Sequence, residues 1–189
     1  MTDREQVRSL VAQAEAQLGA VDVLFNNTGS FRAIGALWEV DPEAWWEDVT
    51  INVRGPMNCC QAVLPGMMRR DRGVIINMNG GGGVGASGYE CSKRAIRRCT
   101  EVLAAELQTS GSRVCVFGMG PGFVRTEMTE LHVSTEAGRK WCAGSGEAFA
   151  RHEDRSPFDC ARASVKLLQI ARPELSGRHF EPDTNFQEF

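Results

Sequence analysis

The sequence predicts an α/β layer fold built on a parallel sheet. Two observations carry this. Helix-patterned and strand-like stretches alternate along the whole chain, and three short apolar runs at residues 21–25, 74–78 and 114–117 lack the polar alternation of a half-exposed strand. Each run also ends in Asn, Gly or Pro, so the sharp turns collect at the carboxyl ends of the strands, where open α/β sheets bind ligands.

Taken in order, Thr2-x-x-Glu5 reads as a capping box, with Thr2 capping a helix. Val7, Leu10, Val11, Ala14 and Leu18 recur with helical period, and Gly19 closes that helix. The first strand, 21–25, runs into Asn26-Asn27-Thr28-Gly29, and residues 30–40 read as an irregular loop. Asp41-Pro42 starts a helix reaching Arg70, with a bend expected at Gly55-Pro56. The second strand, 74–78, is followed by a glycine-rich loop over 79–88. An amphipathic helix then carries Tyr89, Lys93, Ile96, Leu103 and Leu107. The third strand, 114–117, ends in Gly118-Met119-Gly120-Pro121-Gly122. Residues 126–150 look helical but weakly patterned, as a lid over a cleft would be. Ser156-Pro157 opens the last helix, and 177–180 reads as a short final strand. The 189 residues suit one domain.

Composition narrows the function classes. A net charge of −3 gives no electrostatic case for nucleic acid or an anionic membrane, and no apolar run is long enough to span a bilayer. Seven cysteines, at 59, 60, 91, 99, 115, 142 and 160, are scattered and never in C-x-x-C. Free thiols in a reducing, cytoplasmic setting are expected, and with three distant histidines a metal site is not.

The chemistry centres on Tyr89, the only tyrosine, and Lys93 one helical turn later. A phenol beside an ammonium is a proton-transfer pair, because a nearby cation favours phenolate. Such a pair alone can also be a core tyrosine and a solvated lysine. Its position beside the strand-end segments favours the functional reading.

With those segments in place, the chain resembles the short-chain dehydrogenase/reductase family. Val21 to Gly29 is similar to the family's D-x-L-x-N-N-A-G strand end, and Asn52 within Ile51-Asn52-Val53-Arg54-Gly55 to its helix asparagine. Tyr89-x-x-x-Lys93 is similar to its catalytic pair, Pro121-Gly122-Phe123-Val124-Arg125-Thr126 to its nicotinamide loop, and Leu175-Ser176-Gly177-Arg178 to its last strand entry. The resemblance implies a Rossmann-like, doubly wound parallel sheet, here lacking the family's N-terminal βαβαβ part. A truncated chain of this kind would leave the 21–25 strand as an exposed edge.

The resemblance also implies an NAD(P)-dependent oxidoreductase acting on a small carbonyl or alcohol substrate. Tyr89 would be general acid and base. Lys93 would lower the Tyr89 pKa and hold the nicotinamide ribose, and Asn52 would hold a water linking Lys93 to solvent. Asn26, Asn27, Thr28, Gly29, Pro121, Gly122, Val124 and Thr126 would line the NAD or NADP site. Asn79 stands where the family places a catalytic serine, and would donate to the substrate oxygen in its stead. The family often dimerises through the helices that are here 56–70 and 89–108, which implies a homodimer or a heterodimer with a full-length relative. The alternative function is a catalytically impaired remnant acting as a binding or dimerisation partner.

Gly80-Gly81-Gly82-Gly83-Val84-Gly85 satisfies G-x-G-x-x-G after a strand and before a helix. The dinucleotide fingerprint needs an acidic residue about 20 positions on, at the end of the next strand, and that strand ends in Gly118. The run is read instead as a mobile loop in the serine's place.

Overall fold

A computed structural model describes all 189 residues, Met1–Phe189. The elements are α1 (Arg4–Leu18), β1 (Val23–Asn26), α2 (Pro42–Val49), a π-helical turn (Thr50–Arg54), α3 (Gly55–Arg69), β2 (Val74–Met78), α4 (Ser87–Thr109) and β3 (Cys115–Met119). They continue with α5 (Glu127–Ser134), α6 (Glu136–Trp141), α7 (Ala143–Ala150), α8 (Pro157–Ile170) and β4 (His179–Phe180). The strands form one parallel sheet in the order β1-β2-β3-β4.

Strand residues alternate between two cores, as the period of two requires. Ile75 and Val116 face α3 and α4, where they meet Cys60, Val63, Met67, Ala104 and Leu107. Ile76, Phe117 and Met119 face the other way, onto Cys160, Ala163 and Leu167 of α8. With both faces covered, the strands bury Val, Ile and Phe without polar alternation. β1 lies at the sheet's edge, with Val23 and Phe25 about 40% exposed.

Three expectations change in detail. Asp3, not Thr2, caps α1. Its Oδ1 accepts from the backbone N–H groups of Glu5 and Gln6 at 2.9 and 3.0 Å, and a carboxylate suits the positive end of the helix dipole better than a hydroxyl. The long helix deforms before Gly55-Pro56, in the five-residue π-helical turn around Asn52. Pro56 has no N–H to offer the Asn52 carbonyl four residues earlier, so the regular ladder fails there. Gly88 belongs to α4 rather than to the glycine loop, which ends at Ala86.

Candidate active site

Beyond the carboxyl ends of β1, β2 and β3 lies a cavity of about 1150 Å³. Its floor is the strand-end segments, one wall is the first turn of α4, and its roof is the short helices α5 to α7 with the glycine loop. Asn27, Thr28 and Gly29 line it from β1, and Asn79 from β2. Tyr89 and Lys93 line it from α4, and Pro121, Gly122, Val124 and Thr126 from the segment after β3. Two predicted residues sit behind this wall. Asn26 Nδ2 donates to Asn77 Oδ1 within the sheet, at 2.8 Å. Asn52, 1% exposed, receives the Ser30 N–H at 2.7 Å and donates to Ser30 O and Ser92 Oγ.

The helical spacing of Tyr89 and Lys93 brings both to the cavity. Lys93 Nζ lies 5.5 Å from the Tyr89 ring centre and donates to Met78 O at 3.1 Å. Gly29 has no side chain to separate the groups around it. A Cβ built there would lie 3.3 Å from Asn52 Oδ1 and 3.5 Å from Lys93 Nζ. An ammonium carries three donors, and only one of those on Lys93 finds an acceptor in the chain. The lysine therefore meets the cavity as a buried cation with donors to spare.

Burial shifts both groups away from charge. Burial pushes the Tyr89 phenol up to about 12, reinforced by the neighbouring Glu90 carboxylate. Burial also draws Lys93 down to about 8. The expected lowering of the tyrosine by the lysine is not found. Lys93 is turned toward the Met78 carbonyl, and desolvation penalises both charged forms.

Asn79 extends β2 by one residue, its N–H donating to Met119 O at 2.9 Å. Its amide Nδ2 lies 2.8 Å from His179 Nδ1 on β4, so one of its donors is already engaged inside the fold. The glycine loop folds over Tyr89. A Cβ on Gly82 would lie 3.3 Å from the Tyr89 ring, and the Gly82 N–H donates to Glu90 Oε2 at 2.6 Å. Glu90 is held below the ordinary carboxylate range. Burial opposes this, but the Arg94 and Gly82 hydrogen bonds prevail.

Two contributors, Asp48 and His132, carried no signal in the linear sequence. Asp48, fully buried on α2, accepts from Ser30 Oγ and from the backbone N–H groups of Arg32 and Ala33, so it shapes the loop after β1. Phe31 on that loop stacks on Tyr89, with ring centres 4.7 Å apart. His132 of α5 packs edge-on against Phe31, and its Nδ1 lies 2.9 Å from Ser145 Oγ. Of the other aromatics, Trp141 lines the cavity, Trp38 is exposed and packs edge-on against the Trp141 ring outside it, and Phe149 packs on Phe123.

Residues 1–137 match the family described as short chain dehydrogenase. The short chain dehydrogenase mpl6 of Monascus purpureus is 30% identical over the whole chain, which spans 61% of that protein. A 3-oxoacyl-(acyl-carrier-protein) reductase of Thermotoga maritima is 33% identical over 69% of the chain, which spans 53% of it. Among solved structures, a gluconate 5-dehydrogenase from Burkholderia cenocepacia, crystallised with NADP and tartrate, aligns with the entire chain and 73% of its own. The TM-score is 0.75 at 22% identity, so that likeness concerns the fold.

Proposed function

The chain belongs to the short chain dehydrogenase family, and from that premise we propose that it is an NAD(P)-dependent oxidoreductase interconverting a carbonyl and an alcohol, with Tyr89 as its proton donor and acceptor. The convergence of Tyr89 and Lys93 on one wall of the cavity, beside Gly29 and Asn52, carries this reading.

A nicotinamide nucleotide fits the groups present. The unmatched Lys93 donors suit the ribose hydroxyls, while Pro121, Gly122, Val124 and Thr126 would hold the nicotinamide side. When bound in reduced form, it supplies the hydride that a carbonyl carbon accepts. Tyr89 gives its phenolic proton to the carbonyl oxygen. A phenol pushed up to about 12 is protonated at neutral pH, so the resting site is set for reduction. Lys93, still largely cationic at neutral pH, stabilises the phenolate left behind. Phe31 and the glycine loop keep water from the phenol.

Tyr89→Phe tests this directly. With NADPH or NADH and a panel of aldehydes and ketones, the variant should lose about 10²–10⁴-fold in kcat while cofactor affinity stays near wild type. Undiminished turnover, or no binding of either nucleotide by calorimetry, would reject the proposal. The Asn79–His179 contact favours a second reading, a protein with impaired catalysis acting as a binding partner. It occupies a donor at the position of the expected stabilising group. Tyrosine-dependent turnover excludes that reading.

A further inference from the structure

A polar row crosses the α4 face of the sheet at its carboxyl end. Asn79, Gly118 and His179 belong to β2's extension, β3 and β4, and Glu101 reaches the row from α4. His179 Nε2 lies 3.2 Å from Glu101 Oε1, and His179 Nδ1 lies 2.8 Å from Asn79 Nδ2. Asn79 is 7% exposed, and the His179 side chain 10%. Gly118 makes the row possible, because a Cβ there would overlap both His179 Nδ1 and Asn79 Nδ2.

Hydrogen-bond chemistry leaves one arrangement for a neutral ring. An ionised carboxylate only accepts, so Nε2 must carry the proton that Glu101 receives. Nδ1 is then bare and must accept, and the Asn79 group facing it must be the NH₂. The Asn79 carbonyl oxygen is therefore turned away from His179, toward Gly120, where a Cβ would lie 3.3 Å from it. This Oδ1 has no hydrogen-bond partner in the chain, yet Asn79 lines the cavity. Tyr89 Oη lies 3.7 Å from the Cβ position of Gly80, the residue after Asn79, and lines the same cavity.

We infer that Glu101 and His179 are positioning residues that set the Asn79 amide so that it offers the cavity an acceptor, and that the substrate is a carbonyl compound bearing an O–H or N–H donor. The substrate class rests on the oxidoreductase reading, whereas the amide setting does not. The charged groups bearing on His179 come from α4: Arg97 and Glu101, with Arg98 pairing to Glu101. β2 and β3 present only neutral Asn79 and Gly118, and the neighbouring Arg178 lies over Phe189. Burial and Arg97 hold His179 below the ordinary imidazole range against the pull of Glu101, so the ring is neutral at neutral pH. On acidification Nδ1 gains a proton, the asparagine must present Oδ1 to it, and the cavity loses its acceptor.

Long-range ¹H–¹⁵N NMR of the imidazole nitrogens in the full chain tests the setting without any ligand. The Nε2–H form with a bare Nδ1 is expected at pH 7.5, and an Nδ1–H or doubly protonated ring overturns the inference. Turnover tests the substrate class. With NADPH, 4-hydroxy-2-butanone should exceed 4-methoxy-2-butanone in kcat/KM by about tenfold, mostly through KM, and the preference should fade on acidification. His179→Gln, whose side-chain oxygen can accept from Asn79, should keep the preference at all pH values. His179→Phe should lose it, and Glu101→Ala should weaken it. Equal use of both ketones, or an intact preference in His179→Phe, overturns the substrate assignment. If neither ketone is reduced and no nucleotide binds, the oxidoreductase reading falls, while the tautomer still decides the amide setting.

Discussion

Lys93 is the residue where stability and function pull apart. The residue is 5% exposed, and its ammonium makes a single hydrogen bond, to a carbonyl. Depression from 10.5 to about 8 corresponds to roughly 3 kcal/mol of unfavourable charging in the folded state. The unfolded chain holds that proton up to about 10.5 and the folded chain releases it near 8, so between these values the unfolded state binds more protons and stability rises with pH. Lys93→Met should therefore be more stable than wild type at pH 7, by about 1–3 kcal/mol, and should lose nucleotide binding. The gap should close between pH 8 and pH 10.5. Paired urea titrations at pH 7 and pH 10 measure it, and a wild type that is the more stable at pH 7 contradicts the account. Tyr89 and Lys93 were legible in the sequence because their relation is local, one turn of one helix. Asn79 was legible as a position, but His179, which governs its amide, lies 100 residues away. Asp48 sits in a helix whose pattern does not distinguish a buried carboxylate from a solvated one, and only the loop it caps reveals it.

Among the elements, the glycine loop between β2 and α4 decides how closed the site is. Gly83 has open space where a Cβ would stand and no positive φ. Gly83→Ala should stabilise the protein by about 0.4–1 kcal/mol, mainly by restricting the unfolded chain. Gly85 differs, since its φ is +79° and a Cβ there would run into Trp141 of the lid. Gly85→Ala should destabilise by more than about 1 kcal/mol and loosen the lid. Chemical denaturation of the two variants checks both signs, and equal effects would mean that the loop is not pinned at Trp141. The strands and the long α4 were legible because periodicity reports burial directly. The break before Pro56 was legible as a bend, because the missing N–H is local, but its π-helical form was not, because the buried bonds that Asn52 makes with Ser30 and Ser92 join distant segments. The lid was legible only as weak helix. Its break at Thr135 comes from a local side-chain cap, and the one at Cys142 carries no such cap, within a sequence of low amphipathicity.

At the scale of the whole molecule, the sheet is asymmetric. β4 is two residues long, and its Phe180 is enclosed by Phe117, Phe186 and Phe189. β1 is four residues long, pairs on one side with β2, and has no strand on its other side in this chain. Val23 is 43% exposed, Phe25 40% and Leu18, at the end of α1, 87%. An unpaired backbone edge flanked by apolar side chains is a template for pairing with another chain. The 189-residue chain, studied alone, is therefore expected to self-associate as its concentration rises. Val23→Lys places a charge on that edge without touching either core, since Val23 belongs to neither cluster. It should shift sedimentation velocity profiles toward monomer while changing unfolding free energy by less than about 0.5 kcal/mol. Phe25 is the poorer target because it also borders the cavity, so its replacement would mix association with ligand binding. A wild-type chain that sediments as a monomer at every concentration would show that the edge is protected by its own twist and shortness. Association that survives Val23→Lys would place the contact elsewhere, on the outer faces of the helices.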